Sequence, residues 1–406
     1  MKALAAVSFF TDVASEIIYP LLPLFLSGVL GVSAAGLGMI EGFAESVSSL
    51  LRLPAGWWSD RVKRRKPLVM WGYSIAAVVR PLIGLATSAG QVLAIRVSDR
   101  FGKGIRSAPR DALIADSIAP SQRGRAFGFH RAADNLGAVV GPLIAWAVLT
   151  YSATELRTLF LWTALPGLIS VAVLLLFVRE PKAPVVSAHL GAANEPTTRI
   201  QSPVTADAPA ASTAAGAPPL EPMGAPFWRL LGVIFLFTLG LSTDAFLLLR
   251  ASQLGVSAAL IPILWAALHV VKSSSSLIAG GLSDRVGRRP LILGGWAIYA
   301  LVYLGFASAS TEWHAWALFL VYGLYFGMAE GPEKALVADL APASRRGTAY
   351  GWFNAAVGVA ALPASIVFGL VWDAWGAETA FTMGAGIAGF SCLLFALLVP
   401  AARRPA

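Results

Sequence analysis

Charge is what this chain of 406 residues has little of: Asp, Glu, Lys and Arg together make 13% of it, about half the share of a soluble domain. Cysteine is almost missing. Cys392 stands alone in an apolar run, which excludes an intrachain disulfide, a thiolate metal site and a dithiol redox pair. No Gly-x-x-x-x-Gly-Lys-Ser/Thr loop occurs, so nothing marks an ATP-driven machine. No paired-histidine metal motif lies in an apolar segment, and no nucleophile–base pair stands at a recognisable spacing. These absences leave a membrane-embedded enzyme poorly supported; no cofactor and no metal is expected.

Apolar sequence is abundant. Hydrophobic residues make up 57% of the chain and the mean hydropathy is +0.69, more apolar surface than a water-soluble fold of this length can hide. At about 20 residues per membrane-spanning helix, the apolar content suffices for about a dozen spans. Segments of helical length fall near 4–30, 34–58, 67–88, 91–112, 125–150 and 157–178, and again near 228–251, 257–282, 290–308, 313–337, 347–371 and 378–399. The fold class expected is therefore an all-α membrane protein of twelve transmembrane helices in two six-helix bundles. The opening MKALAAVSFF is similar to a signal peptide, but Asp12 and Glu16 interrupt it, so it reads as a retained first helix.

The stretch 179–227 is rich in Pro, Ala, Ser and Thr and poor in aromatics. Such composition cannot bury enough apolar surface to order itself, so it reads as a disordered linker between a first unit, 1–178, and a second, 228–406. Of the 31 Lys and Arg, nineteen fall in segments sharing a side with the N-terminus and two, Arg157 and Arg250, in the opposite loops. That bias predicts a multi-pass inner-membrane protein with both termini and the linker cytoplasmic. It also accounts for the net charge of +9 without a nucleic-acid partner.

The halves repeat. LGVSAA stands at 30–35 and again at 254–259, Ser59-Asp60-Arg61-Val62 recurs as Ser283-Asp284-Arg285-Val286, and Ala112-Leu113-Ile114-Ala115-Asp116 is echoed by Ala335-Leu336-Val337-Ala338-Asp339. Offsets of 223 or 224 throughout imply two parallel copies of a six-helix unit, an arrangement suited to alternating access.

With those residues in view, the loop GWWSDRVKRRKPL between spans two and three resembles the signature loop of the major facilitator superfamily, and GGLSDRVGRRPL is its second-half echo. The first copy has Lys63 where a Gly is usual; the second keeps Gly287. The resemblance covers essentially the whole chain and implies a transporter of a small-molecule substrate, closest in flavour to proton-coupled drug and metabolite exporters. It implies a conformational latch from Gly56, Asp60, Arg61 and Arg64, with Asp284, Arg285 and Arg288 in the second half. Independently, Asp60 can pair with arginines or with a helix N-terminus of the other half, while the basic cluster can equally be a plain anchor to the anionic leaflet. Arg110-Asp111 maps onto Glu333-Lys334 with reversed charge order, so the two pairs are candidates to meet when the cytoplasmic side closes. Gly137-x-x-x-Gly141-Pro142 is similar to the antiporter signature of drug-exporting members. Ala145 and Trp146 stand where that pattern has glycines, and ordinary small-residue packing explains the glycines as well. Gly102-x-Gly104, a fragment of a phosphate-loop pattern, lies within a span and reads as helix packing.

Ionisable residues at bilayer depth are costly and default to function. Asp12 and Glu16 share a face of span one, Glu41 and Glu45 a face of span two, and span four carries Arg96, Asp99, Arg100, Lys103, Arg106 and Arg110 at helical spacing. His130 and Asp134 lie on span five; Asp244, His269, Lys272, Glu330 and Glu333 on the second half. The family resemblance places spans one, four, seven and ten around the cavity. The candidate substrate and proton pathway is Asp12, Glu16, Glu41, Glu45, Arg96, Arg100, Lys103, His130, Asp134, Glu330 and Glu333; mutual pairing for helix packing is the other reading. Trp265 and Tyr325 fall mid-span, where either lining or packing suits them. The function expected is proton-coupled export by a monomer in the lipid bilayer. Proton-coupled uptake of an anionic metabolite is the alternative, and a non-transporting sensor a third.

Overall fold

The computed structural model describes residues 2–61, 65–116, 123–152, 154–178, 222–342 and 345–399. Among them the helices form twelve rods and no strand occurs. They are α1 (Lys2–Val29), α2 (Ala34–Arg61), α3 (Lys66–Leu85), α4 (Ala89–Asp116), α5 (Arg123–Tyr151), α6 (Leu156–Phe177), α7 (Ala225–Gln253), α8 (Ile261–Val286), α9 (Arg288–Ser308), α10 (Glu312–Leu340), α11 (346–375) and α12 (377–398), the last two meeting at Gly376. By length and composition alone, eight apolar segments could cross a membrane, one of them running through both α11 and α12. The three rods outside that set are α2, α4 and α10, those most heavily charged. Most of the 179–227 stretch lies outside the described residues, and α7 already begins at Ala225.

The first six helices pack among themselves, α1 on α5 and α6, and α4 on α2 and α3; in the second six, α10 packs on α8 and α9, and the α11–α12 pair on α7 and α9. The repeats explain their own positions. Gly31 and Gly255, the glycines of the duplicated LGVSAA, both adopt positive φ (64° and 101°), which a side chain resists. Each stands at the start of the loop that leads into the next helix. Pro109 in α4 and Pro332 in α10 stand 223 residues apart, each inside a helix. Buried neighbours absorb the backbone groups such prolines free. The last carbonyls of α3 and α9 are each met by a guanidinium: Arg157 donates to Gly84 O and Ala86 O at 3.1 and 2.6 Å, and Arg250 to Phe306 O and Ala309 O at 3.3 and 3.0 Å. Positive charge at a helix C-terminus is favourable, so the two arginines nearest the sparsely charged loops act as caps.

The bundles meet along two seams, α2 against the α11–α12 rods and α5 against α8. At the first seam glycine removes the bulk. A methyl placed on Gly38 falls 2.1 Å from Ser365 O, and one on Gly369 falls 2.4 Å from Ala34 O. Ser46 Oγ crosses to donate to Gly358 O at 2.7 Å. At the end of this seam, Asp373 of α11 accepts the first free amides of α2, Ala34 N–H at 2.9 Å and Ala35 N–H at 2.8 Å. A carboxylate at a helix N-terminus satisfies orphan donors and complements the helix dipole. The face holding Asp373 is opposite the one where α1 begins and α12 ends, here called the terminal face.

Gly137 and Gly141 do the same work inside the first bundle. A methyl on Gly137 falls 2.7 Å from Phe9 O and 2.9 Å from Asp12 Cβ; on Gly141, 2.7 Å from Val13 O and 3.0 Å from Glu16 Cβ. Gly102 and Gly104 likewise fit against Gly72 O and Leu51. Since backbone cannot yield as a flexible side chain does, Gly38→Ala and Gly369→Ala are each expected to lower stability by about 1–3 kcal/mol. Gly232, with nothing within 4 Å, is expected to accept alanine without loss. Thermal unfolding of the three purified variants checks this.

Candidate functional site: a charged cavity between the bundles

Between the bundles lies a cavity of about 540 Å³. Its first-bundle wall is charged: Glu16 from α1, Glu41 and Glu45 from α2, Arg100 and Lys103 from α4. Its second-bundle wall is more aromatic, with Phe237, Trp265, Tyr322, Tyr325 and Phe326, beside Asp244, His269, Lys272, Glu330, Glu333 and Lys334. Helical periodicity places this set. Glu41 and Glu45 are one turn apart on α2, Arg96, Arg100 and Lys103 follow the same spacing on α4, and His269 follows Trp265 by one turn on α8.

The cavity reaches its closed end near Tyr19. Trp265 of α8 donates its indole N–H to Glu16 Oε2 at 2.8 Å, and its ring lies 5.1 Å from that of Tyr19. Asp373, capping α2, seals the same face. Toward the terminal face, contact is loose: Arg131 and Glu330 stand 3.6 Å apart across the bundles with side chains 63% and 36% exposed. Across the bundles, hydrogen bonds thus hold the Asp373 end, while the ion pair described at the terminal end is solvent-exposed.

Each cavity carboxylate has a different partner. Glu41 accepts a two-pronged contact from Arg96, Nε at 2.8 Å and Nη2 at 2.7 Å, with both side chains buried. Asp244 accepts from Tyr322 OH at 2.7 Å. Glu333 accepts from the Trp296 indole at 2.7 Å, whose ring stacks on Phe237 at 3.9 Å. Glu330 takes Lys334 Nζ at 3.1 Å, and Lys272 Nζ rests 3.7 Å over the Phe326 ring, a cation–π contact. His269 Nε2 is buried with no hydrogen-bond partner among the described residues.

α7 is broken at this depth. One helical piece, Ala225–Gly240, ends there, and a second, Asp244–Gln253, starts with the Thr243 hydroxyl accepting from Ala245 N. Tyr303 OH meets Ser242 Oγ at 2.7 Å. The interruption exposes backbone only where it faces the cavity, as bilayer physics requires.

The sequence-predicted pathway residues divide. Glu16, Glu41, Glu45, Arg100, Lys103, Glu330 and Glu333 line the cavity. Arg96 stands behind Glu41. Asp12, His130 and Asp134 are not among the lining residues; they lie where α1 packs on α5. Asp244, His269, Lys272 and Trp265, noticed in the sequence but not placed on the pathway, do line it, as do Tyr19 and Tyr322, which were overlooked. Ser242-Thr243-Asp244 inside an apolar run is a helix-start signature that marks the α7 break. Of the latch residues, Arg64 lies outside the described residues, as do the side chains of Asp60, Arg61 and Asp284; Gly56 lies on α2. Arg285 is exposed. Arg288 donates to Ala335 O at 2.6 Å and to the Asp339 carboxylate, within its own bundle. Arg110 pairs with its neighbour Asp111 at 2.9 Å, so the pairs at 110–111 and 333–334 are each satisfied locally in this conformation.

A second hollow, of about 380 Å³, sits on α1, α5 and α6. Phe9, Val13, Ile144, Trp162 and other apolar side chains line it, and it brings no chemistry to the site.

Removing one partner of a buried ion pair leaves the other uncompensated, typically at about 3–5 kcal/mol. Arg96→Met and Glu41→Leu are each expected to lower stability on that scale, and the double variant to recover most of the loss, as read by thermal unfolding of the purified chain.

Comparison with known proteins follows from this geometry. The family description Major Facilitator Superfamily matches residues 4–362 and 246–406. An uncharacterised MFS-type transporter of Methanocaldococcus jannaschii is 32% identical over 393 residues, covering 95% of this chain and 92% of the relative. The multidrug resistance protein MdtG of Enterobacter lignolyticus is 27% identical over 331 residues, covering 78% of this chain and 72% of the relative. Among solved structures, a variant of the nucleoside transporter NupG aligns with a TM-score of 0.77 at 13% identity, covering 98% of this chain and 99% of that one. A D-xylose-proton symporter aligns at 0.70 with 16% identity, covering 99% and 97%. Two six-helix units around a charged central cavity, carried by a sequence that matches along its whole length, make this chain a member of the major facilitator superfamily: a multi-pass membrane transporter, not an enzyme.

Proposed function

We propose that the protein exports small organic solutes across the plasma membrane in exchange for protons, by alternating access. The observation that carries this reading is the cavity at the seam, where Glu16, Glu45, Asp244, Glu330 and Glu333 share a space with an aromatic wall. Carboxylates in a hollow that water reaches from one face at a time can exchange protons with each side in turn. The rings of Tyr19, Trp265, Tyr322, Tyr325 and Phe326 offer flat apolar surface for a planar solute body. The relative with the drug-resistance name and the glycines of α5 favour export. The terminal face is read as cytoplasmic, from the Lys and Arg bias of its loops, and the unit as a monomer.

Uptake of an anionic metabolite has its own support, since Arg100, Lys103 and Lys272 also line the cavity. Reconstitution into proteoliposomes with an imposed pH gradient separates the readings, using tetraphenylphosphonium, a neutral aromatic and an aliphatic dicarboxylate as probes. Export predicts proton flux dependent on the aromatic cation, abolished in Glu16→Gln. Flux dependent on the dicarboxylate supports uptake instead, and no solute-dependent flux with any probe opposes both.

A second expectation concerns closure of the terminal side. If the Arg110-Asp111 and Glu333-Lys334 pairs exchange partners across the bundles as that side closes, reversing either pair alone impairs probe transport and reversing both restores part of it. Failure of the double reversal to exceed the single ones speaks against the exchange.

A further inference from the structure

Behind α1, away from the cavity, lies a group of polar side chains that lack partners. Asp134 and His130, one turn apart on α5, place Oδ1 and Nδ1 at 3.5 Å. Both atoms are buried and neither has a hydrogen-bond partner. His130 is 3% exposed. Its other nitrogen, Nε2, lies 3.4 Å from Ser8 Oγ on α1, and Ser8 in turn meets Tyr73 OH of α3 at 3.1 Å. Asp12 lies on the side of α1 that Gly137 of α5 meets, a Cβ on that glycine falling 2.9 Å from Asp12 Cβ, and Asp134 stands one turn before Gly137. Among the described residues, the Asp12 carboxylate makes no hydrogen bond and no ion pair.

The surrounding charges do not neutralise this group. Asp134, Lys103, Glu16 and Arg80 act on Asp12; Arg110, Asp134 and Asp111 act on His130. Arg80 is committed elsewhere, to Asp99 at 2.8 Å and Thr11 O at 2.7 Å. Arg110 is committed to Asp111. α6, the other helix on α1, brings only Arg157, which caps α3. From α8, His269 and Lys272 act with Glu16 rather than on this group. Two half-buried carboxylates with no fixed counter-ion at this depth cannot both stay charged without a desolvation cost, and the neutral imidazole beside Asp134 offers a further place for a proton. No group of three such side chains among the described residues is arranged to hold a metal ion, so the occupant that fits is a proton.

We propose that Asp12, Asp134 and His130 form a proton-binding site within the first bundle, separate from the solute cavity and joined to it through α1. The inference rests on the proton-coupled reading above and adds to the cavity carboxylates a second place where a proton binds. Lys103 lines the cavity and is the cavity cation whose charge acts on Asp12. The mechanical link is the glycine contact. Gly137 and Gly141 lay the α5 backbone against α1 at Asp12 and at Glu16, one turn apart. Neutralising the repulsion between Asp12 and Asp134 lets α1 settle differently on α5. Because Glu16 rides on the same turn pair, its bond to Trp265 across the seam responds. The proton thereby biases the contact that closes the far end of the cavity without competing for the solute's place.

The test uses the full chain in lipid nanodiscs, with infrared spectroscopy following protonation of buried carboxyl groups as pH is stepped; no solute is required. The titrating carboxyl signal is expected to be lost in Asp12→Asn and in Asp134→Asn, to move its midpoint in His130→Gln, and to persist in Glu16→Gln. Its survival in both aspartate variants, or its loss in Glu16→Gln instead, overturns the assignment. Unchanged thermal transitions in the Asn variants establish that they fold; should one not fold, the His130→Gln midpoint decides. In the proteoliposome assay, with tetraphenylphosphonium as probe, Asp134→Asn is expected to lose gradient-driven accumulation at least tenfold while keeping probe exchange at equal pH. Loss of both together places Asp134 in solute binding and overturns a separate site. The infrared arm can succeed where proton-coupled flux fails, so failure of the coupling reading and failure of the site are told apart.

Discussion

The Glu41–Arg96 pair shows the constraint under which the whole protein is built. Each partner alone at that depth would face several kcal/mol of desolvation, so the pair holds two-pronged geometry with both side chains buried. The same demand runs through the first bundle. Arg80 closes on Asp99 and on a backbone carbonyl, and Arg106 spreads over the Tyr73 ring at 4.5 Å while donating to Gly72 O. Charges that find a fixed partner become structure. Those that do not must face water or exchange a proton, and among the described residues Asp12, His130 and Asp134 at the α1–α5 contact are such a group.

That sorting depends on backbones coming close. Charged side chains between helices need room, and the helices nevertheless have to touch. Glycine reconciles the two demands by moving the touching surface to the backbone, at Gly38, Gly358 and Gly369 along the seam and at Gly137 and Gly141 within the first bundle. Beside these backbone contacts, apolar side chains of both bundles, among them Leu37, Ile40, Phe246 and Trp372, share one buried core. The far end of the seam is held by two amide–carboxylate hydrogen bonds from α2 to Asp373 and by the Trp265–Glu16 bond. Such contacts exchange readily for water once the face opens.

Much of this was legible in the sequence. Most of the segments followed from apolar run length, and the duplication from LGVSAA and the Ser-Asp-Arg-Val repeats; Gly31 and Gly255 of the former occupy equivalent places in the fold. Glu16, Glu41, Arg100 and Lys103 could be grouped on helix faces by spacing, and the family resemblance put spans one and four at the cavity. Spacing within one helix, however, does not say which neighbour that face meets. Arg96, one turn from Arg100, points behind Glu41 instead of into the cavity. Asp12, one turn from Glu16, faces α5 because the Gly137 contact turns that side of α1 away from the seam. Asp373 was not singled out because it sits at a helix end among aromatics, and its partner, the start of α2, is more than 330 residues away in the chain. Asp244 and Tyr322 were obscure for the same reason: their meaning lies in a break of α7 and in a contact between helices.

The duplication also makes an asymmetry informative. Both halves share turns, prolines and helix caps, yet they fill their interiors differently. The first bundle buries arginines and carboxylates. The second buries rings: Tyr299 on Tyr303 at 4.2 Å, Tyr322 parallel to Tyr325 at 5.8 Å, Trp296 on Phe237. A stacked set of rings presents one stable, largely apolar surface whatever the pH, since phenols and indoles hold no charge over the working range. A set of carboxylates and an imidazole changes its field with every proton that enters. Two copies of one ancestral unit have thereby been given different physical tasks, one wall constant in shape and polarity and the other variable in charge. A transporter whose driving ion and cargo must be sensed separately, yet act on one motion, needs that division, and the helix common to both duties is α1, which carries Asp12 toward α5 and Glu16 toward the seam.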